Sequence, residues 1–155
     1  MATYQTTAVI AGVRPDATCP AGIVLSRYGL FTLAASGGDA TALAQNDVIE
    51  MVPVPKGAQI IDINVQWTDL DSAGSPTMDV GDGDDTNGWI DGLNITAAGI
   101  SCLKTATFSA YYIGKEYTAA DTIDVKIMDA NCNATSGTIR MIVEYKVEGA
   151  IDDET

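Results

Sequence analysis

What most constrains this chain is an alternation of apolar and polar residues with a period of two. In "IIDINVQWTD", Ile61, Ile63, Val65 and Trp67 share one face and Asp62, Asn64, Gln66 and Thr68 the other. Successive strand side chains point to opposite sides of a sheet, so this pattern predicts a half-buried antiparallel strand. "DTIDVKIMD" repeats it with Ile123, Val125 and Ile127. "GTIRMIVEYKVEG" repeats it again with Ile139, Met141, Val143, Tyr145 and Val147, spaced by Arg140, Glu144 and Lys146. The turn-rich "ANCNATSG" joins these last two runs, and the expectation is a hairpin.

Further strands follow from weaker patterns. "GIVLSRYGLFTLA" reads as one long strand or as two short ones meeting near Gly29. "DVIEMVPVP" reads as a strand ended by Pro53 and Pro55, since proline lacks the N–H a ladder needs. "TMDVG" is a short strand, "TATFSAYYIG" another, and only "ITAAGISCLK" suits a helical turn or two. About eight closely spaced strands with Gly and Asp turns predict an all-β fold, an antiparallel β-sandwich or jelly roll. Residues 1–20, with Pro15 and Pro20 and few charges, read as an extended arm before a domain over 21–148, and 149–155 as an acidic tail.

The chain's 155 residues suit one domain, and its 46% hydrophobic residues suffice for a core. The net charge is -13, from 21 Asp and Glu against 8 Lys and Arg. A field of that sign repels nucleic acid and anionic membranes, and no run of 18 apolar residues offers a membrane span. No basic, apolar leader opens the sequence, which fits synthesis in a cytoplasm. Cys19, Cys102 and Cys132 form no CxxC pair and read as reduced thiols. The sequons at Asn94 and Asn133 carry no weight without secretion. Charge is uneven: between Lys56 and Lys104 there are eight Asp and no Lys or Arg, so one end or edge of the sandwich is expected to be strongly negative.

The densest acidic stretch is "DVGDGDDTNGWIDG", residues 79–92, with five Asp. With Gly88 at position 6 of an EF-hand loop, position 1 is Gly83 and position 12 is Asn94, so both anchoring ligands fail. Asp79, Asp82, Asp84 and Asp85 stay candidates for a looser calcium site of the β-sandwich kind. The favoured reading is a solvated turn with no metal, built on Asp, Asn and Gly.

Catalytic patterns are sparse. With no His there is no Ser-His-Asp triad, and no G-x-S-x-G or Walker loop occurs. "GDGDDT" lacks the third Gly of a dinucleotide loop. Asp69 and Asp71 could serve as a glycosidase pair on number alone, but read better as surface acids. No catalytic residue and no cofactor are expected. Trp67 belongs on the apolar face, Trp89 beside Asp91 reads as more open and able to stack on a sugar, and of Tyr111 and Tyr112 one is expected in the core and one at the rim.

The run "VPVPKGAQIIDINVQWTDLDSAGSPTMDVGDGDDTNGWIDG", with "YTAADTIDVKI" and "SGTIRMIVEYK" as a closing hairpin, resembles the virion structural proteins of tailed bacteriophages, in particular small head decoration (cement) proteins. It covers roughly residues 48–148, and the first 47 residues carry none of it. The resemblance implies a non-enzymatic jelly-roll homotrimer on the outer capsid surface, on local three-fold axes, partnered by the major capsid protein. It would be made in the host cytoplasm, with its acidic face outward and its N-terminal arm free to pair with a neighbour's sheet edge. A tail or neck protein of the virion, or a calcium-dependent carbohydrate-binding module, stands as the alternative.

Overall fold

The computed structural model describes residues 1–6, 9, 23–68, 70, 75–106, 110–129 and 134–147. Among these residues nine strands form two facing sheets: β1 Thr3–Gln5, β2 Val24–Leu33, β3 Val48–Val54, β4 Ala58–Trp67, β5 Thr77–Gly81, β6 Ile90–Asn94, β7 Gly99–Cys102, β8 Asp121–Ile127 and β9 Gly137–Val147. One sheet has the order β1-β3-β8-β5-β6, the other β2-β9-β4-β7. Every pairing is antiparallel except β1 with β3. The expected β-sandwich is therefore what forms.

The alternating apolar residues make the layer between the sheets. Ile123, Val125 and Ile127 of β8 face Ile139, Met141, Val143 and Tyr145 of β9, all buried. Each such side chain is worth about 1.5–3 kcal/mol once removed from water. Trp67 is buried as expected, and its indole N–H donates to the Ala97 carbonyl at 2.9 Å.

β8 and β9 do not form the expected hairpin. β8 pairs with β3 and β5, β9 with β2 and β4, so their connection crosses from sheet to sheet. Two strands with one apolar face each can bury them by lying face to face, and alternation alone does not distinguish this from pairing edge to edge. β4 departs in phase. A bulge between Ile60 and Asp62 leaves Ile61 half-buried, puts Ile60 in the core, and then returns Ile63, Val65 and Trp67 to it.

Other boundaries shift for local reasons. β2 is one strand, unbroken at Gly29. β3 runs through Pro53 to Val54, because β1 reaches only as far as Glu50 and the far edge at Pro53 needs no donor. The chain then turns at Pro55–Ala58, where the Ala58 N–H meets the Pro55 carbonyl at 3.1 Å and Gly57 takes φ +82°, a type II turn that requires glycine. Gly99–Cys102, inside the stretch expected to be helical, is strand β7. The expected strand in "TATFSAYYIG" does not form among its described residues. There the backbone runs irregularly along β4, with the Gly114 N–H on the Ile60 carbonyl at 2.7 Å.

The arm expected over residues 1–20 begins inside the sandwich. Thr3–Gln5 add a parallel edge strand to β3, and the Thr6 hydroxyl donates to the Met51 carbonyl at 2.7 Å. Apart from Val9, residues 7–22 lie outside the described residues, as do the tail from 148, Asp69, Asp71, Cys19, Cys132 and Asn133.

Candidate functional site

Two surfaces stand out: an acidic corner beside β5 and β6, and the outer face of the four-stranded sheet.

The acidic corner is built around Asp82, which is fully buried. Its Oδ1 accepts the backbone N–H groups of Asp84 at 3.1 Å and Asp85 at 3.0 Å, and the Tyr111 hydroxyl at 2.9 Å. Its Oδ2 accepts the Lys115 ammonium at 2.6 Å and the Tyr117 hydroxyl at 2.7 Å. Burial pushes this carboxyl up, but the bonds from Lys115, Tyr117, Asp85 and Tyr111 outweigh it and hold the group below its ordinary value. Both tyrosine hydroxyls are held well above theirs, by burial first and then by the Asp82 charge they donate to. The Lys115 ammonium lies 3.3 Å from the Tyr111 ring centroid, 4.7 Å from that of Tyr117 and 5.9 Å from that of Trp89, so three ring faces and one carboxylate enclose it. Trp89 donates its indole N–H to the Tyr117 hydroxyl at 3.1 Å.

The sequence-predicted residues divide here. Trp89 is not open: it is 3% exposed, under Tyr111 and Lys115, and offers no face to a sugar. A neighbouring Asp says nothing of the ring when the indole is drawn inward by a buried tyrosine. Neither tyrosine enters the core as one was expected to: Tyr111 is half-buried against it and Tyr112 is exposed, both on irregular backbone. Asp82 is an internal anchor whose cation is the chain's own Lys115, while Asp84 is exposed and Asp85 partly exposed. Asp79 is buried on the outer side of β5, where its Oδ1 accepts the N–H of Gly92 at 2.8 Å. Gly92 sits in a bulge of β6 at φ +72°. Among the described residues no group of three or more His, Cys, Asp or Glu is placed to hold a metal ion. An open cleft of about 380 Å³ lies beside the corner, walled by Asp84, Glu116 and Asp121.

Sequence reasoning passed over Asp124. It is 8% exposed on the outer side of β8, opposite Glu50 of β3, and its Oδ1 has no hydrogen-bond partner. Burial, and then the charges of Glu50, Asp121 and Asp82, push its carboxyl up to about 7, which the Thr122 hydroxyl only partly offsets. Asp121 and Asp79 are raised too, by burial first. The available signal was the polar phase of "DTIDVKI", which sets Asp124 beside other acids only once β3 is known to be its neighbour.

The second surface is apolar. Register places Leu30, Arg140, Gln66 and Ile100 in one row across the four-stranded sheet, and Tyr28, Ile142, Asn64 and Cys102 in the next. Val24, Tyr28, Leu30, Ile142 and Ile100 keep 53%, 50%, 37%, 40% and 72% of their surface in solvent. Neighbours in a row lie about 5 Å apart, so Tyr28 and Ile142 touch the same solvent patch. Exposed apolar side chains thus share this outer face with Arg140, Gln66 and Asn64.

No family model and no curated protein matches the chain. Solved structures do. A chain of the capsid of Ralstonia phage GP4 superimposes with a TM-score of 0.71 at 26% identity, over 94% of this chain and 98% of that one. The chain resembles phage virion structural proteins. A chain of the cyanophage Pam1 capsid follows with a TM-score of 0.59 at 16% identity, over 88% and 95% of the two chains. A chain of the capsid of Helicobacter pylori bacteriophage KHP30 gives 0.53 at 13%, over 83% and 91%. At those identities the last two speak for the fold alone. The likeness to the capsid chain of phage GP4 points to a structural role.

Proposed function

We propose that the chain is a head decoration protein that sits as a homotrimer on the outer surface of a phage capsid and stabilises the shell. The observation that carries this reading is the end-to-end likeness to a phage capsid chain, 94% of this chain against 98% of that one. The two outer faces give it a direction. The apolar face of the four-stranded sheet lies against the major capsid protein, and the acidic face of the five-stranded sheet points to solvent, away from packaged DNA. Several modest contacts per trimer act together, so a trimer leaves the shell far more slowly than one chain does. Nothing in this role calls for a cofactor.

The test is to mix purified protein with shells of the cognate phage assembled without it. Expected are a native mass of three chains by light scattering, saturable binding, and shells that open at a higher temperature. Failure to bind shells, with binding to isolated tails instead, overturns the decoration reading.

A further inference from the structure

The outer face of the five-stranded sheet holds a buried oxygen that the fold leaves unsatisfied. Asp124 stands there on β8, 8% exposed, and its Oδ1 has no hydrogen-bond partner. A buried carboxylate oxygen in that state costs free energy until a proton, a donor or a cation meets it. The Thr122 hydroxyl bonds the same carboxyl and still leaves Oδ1 unmet.

Register sets what surrounds it. Asp124 lies opposite Glu50 of β3 on one side and Gly81 of β5 on the other. Opposed residues have Cβ atoms about 5 Å apart, so both carboxylates can reach one point between them, and like charges so placed destabilise a sheet. After burial and the Thr122 bond, Glu50 is the group that acts most on Asp124, ahead of Asp121 and Asp82. The Gln5 amide fixes Glu50 by donating to its Oε2 at 2.6 Å. On the other side the wall is backbone. A Cβ at Gly81 would run into the carbonyl oxygens of Asp85 and Thr86, so the turn after β5 lies directly on the outer face beside Asp124. The Asp85 carbonyl accepts the N–H groups of Asp82 and Gly88, while among the described residues no backbone N–H meets that of Thr86. The fold's own cations are elsewhere. Lys115 is held by Asp82, and Lys126 lies opposite Val48 and Asp79 without an ion pair to Asp124 or Glu50.

We infer that Asp124 and Glu50 bind one calcium ion between β8 and β3, with the Asp85–Thr86 turn as a wall and water completing the shell. Two carboxylates match the charge of a divalent cation, and every donor at hand is an oxygen, as a hard cation requires. Calcium accepts irregular geometry and a shell shared with water, where magnesium demands a near-ideal octahedron. The ion turns the repulsion between Glu50 and Asp124 into attraction to a common charge, and so ties β8 to the strand that carries β1. A site with only two acids belongs at the weak end of calcium affinities, with Kd about 0.1–1 mM. It is separate from the acidic turn, where the buried Asp82 already has its cation in Lys115. The inference does not rest on the decoration reading.

The test is thermal unfolding of the full-length protein at pH 8, above the titration of Asp124. One sample holds about 2 mM calcium chloride, the other a chelator with sodium chloride to equal ionic strength. Expected in calcium is a midpoint higher by about 3–5 °C, with one ion bound per chain by equilibrium dialysis. Asp124→Asn and Glu50→Gln should each lose the shift. Asp84→Asn, at an exposed acid of the adjacent turn, should keep it. Should Asp124→Asn fail to fold, Glu50→Gln, at a half-buried residue, decides by the same criterion. An equal midpoint with and without calcium in the unmodified protein overturns the site. So does a shift that survives both Asp124→Asn and Glu50→Gln, or one lost only in Asp84→Asn, which puts the ion in the turn.

Discussion

The two sheets share one core and differ in what they show to solvent. On the five-stranded sheet, the outer rows run Gln5, Glu50, Asp124, Gly81 and Thr3, Val48, Lys126, Asp79. On the four-stranded sheet they run Leu30, Arg140, Gln66, Ile100 and Tyr28, Ile142, Asn64, Cys102. The first face spends stability on buried acid. Asp124 has an unpartnered oxygen and Asp79 is nearly sealed from water. The second keeps apolar side chains wet, a cost that the proposed contact with the shell would relieve. The same folding rule, apolar inward, is obeyed beneath both, so the difference lies in what each outer face contributes. In the proposed role one face repels and the other adheres.

The sharpest way to break the acidic side is Asp82→Ala. It removes the acceptor of five hydrogen bonds and the carboxylate that pairs with the Lys115 ammonium at 2.6 Å among three rings. Losing one partner of a buried pair costs about 3–5 kcal/mol, so thermal denaturation should show a midpoint lower by about 10 °C. A midpoint within a degree or two of the parent would mean the corner is ornament to the fold.

Asp124→Asn sharpens the same face through pH. The folded carboxyl titrates at about 7 against an ordinary 3.8, so the folded state holds the proton more tightly than the unfolded one. Its proton-linked stabilisation is fully present below about 4 and is lost as pH rises through about 7. Denaturant unfolding of the parent should therefore weaken from pH 4 to pH 8, with Asp121 and Asp79 acting in the same sense. The Asn variant should flatten that slope and be more stable at pH 8 by roughly 1–3 kcal/mol, the cost of an unsatisfied buried polar group. An unchanged slope would remove Asp124 as its source.

The smallest effect on the fold is expected on the adhesive face. Ile142→Glu alters a side chain 40% exposed, so stability should move by no more than about 0.5 kcal/mol. Binding to shells should nevertheless be lost. Retained binding would turn the face away from the capsid.

Much of this was readable in one dimension. The all-β class, the inward phase of β8 and β9 and the core position of Trp67 all follow from neighbours one to four residues apart. The sequence by itself determined the inward phase of β8 and β9 and the burial of Trp67, because period is local. What only the tertiary structure decided depends on partners far along the chain. β8 and β9 lie in different sheets, and Trp89 is buried because Tyr117, 28 residues on, takes its N–H. Asp82 is an anchor, not a surface acid, because Lys115 arrives from 33 residues away. The same holds for the two outer faces. An exposed Ile or a buried Asp is indistinguishable in sequence from its opposite until register sets it beside its cross-strand neighbours, since charge and burial are properties of the assembled surface.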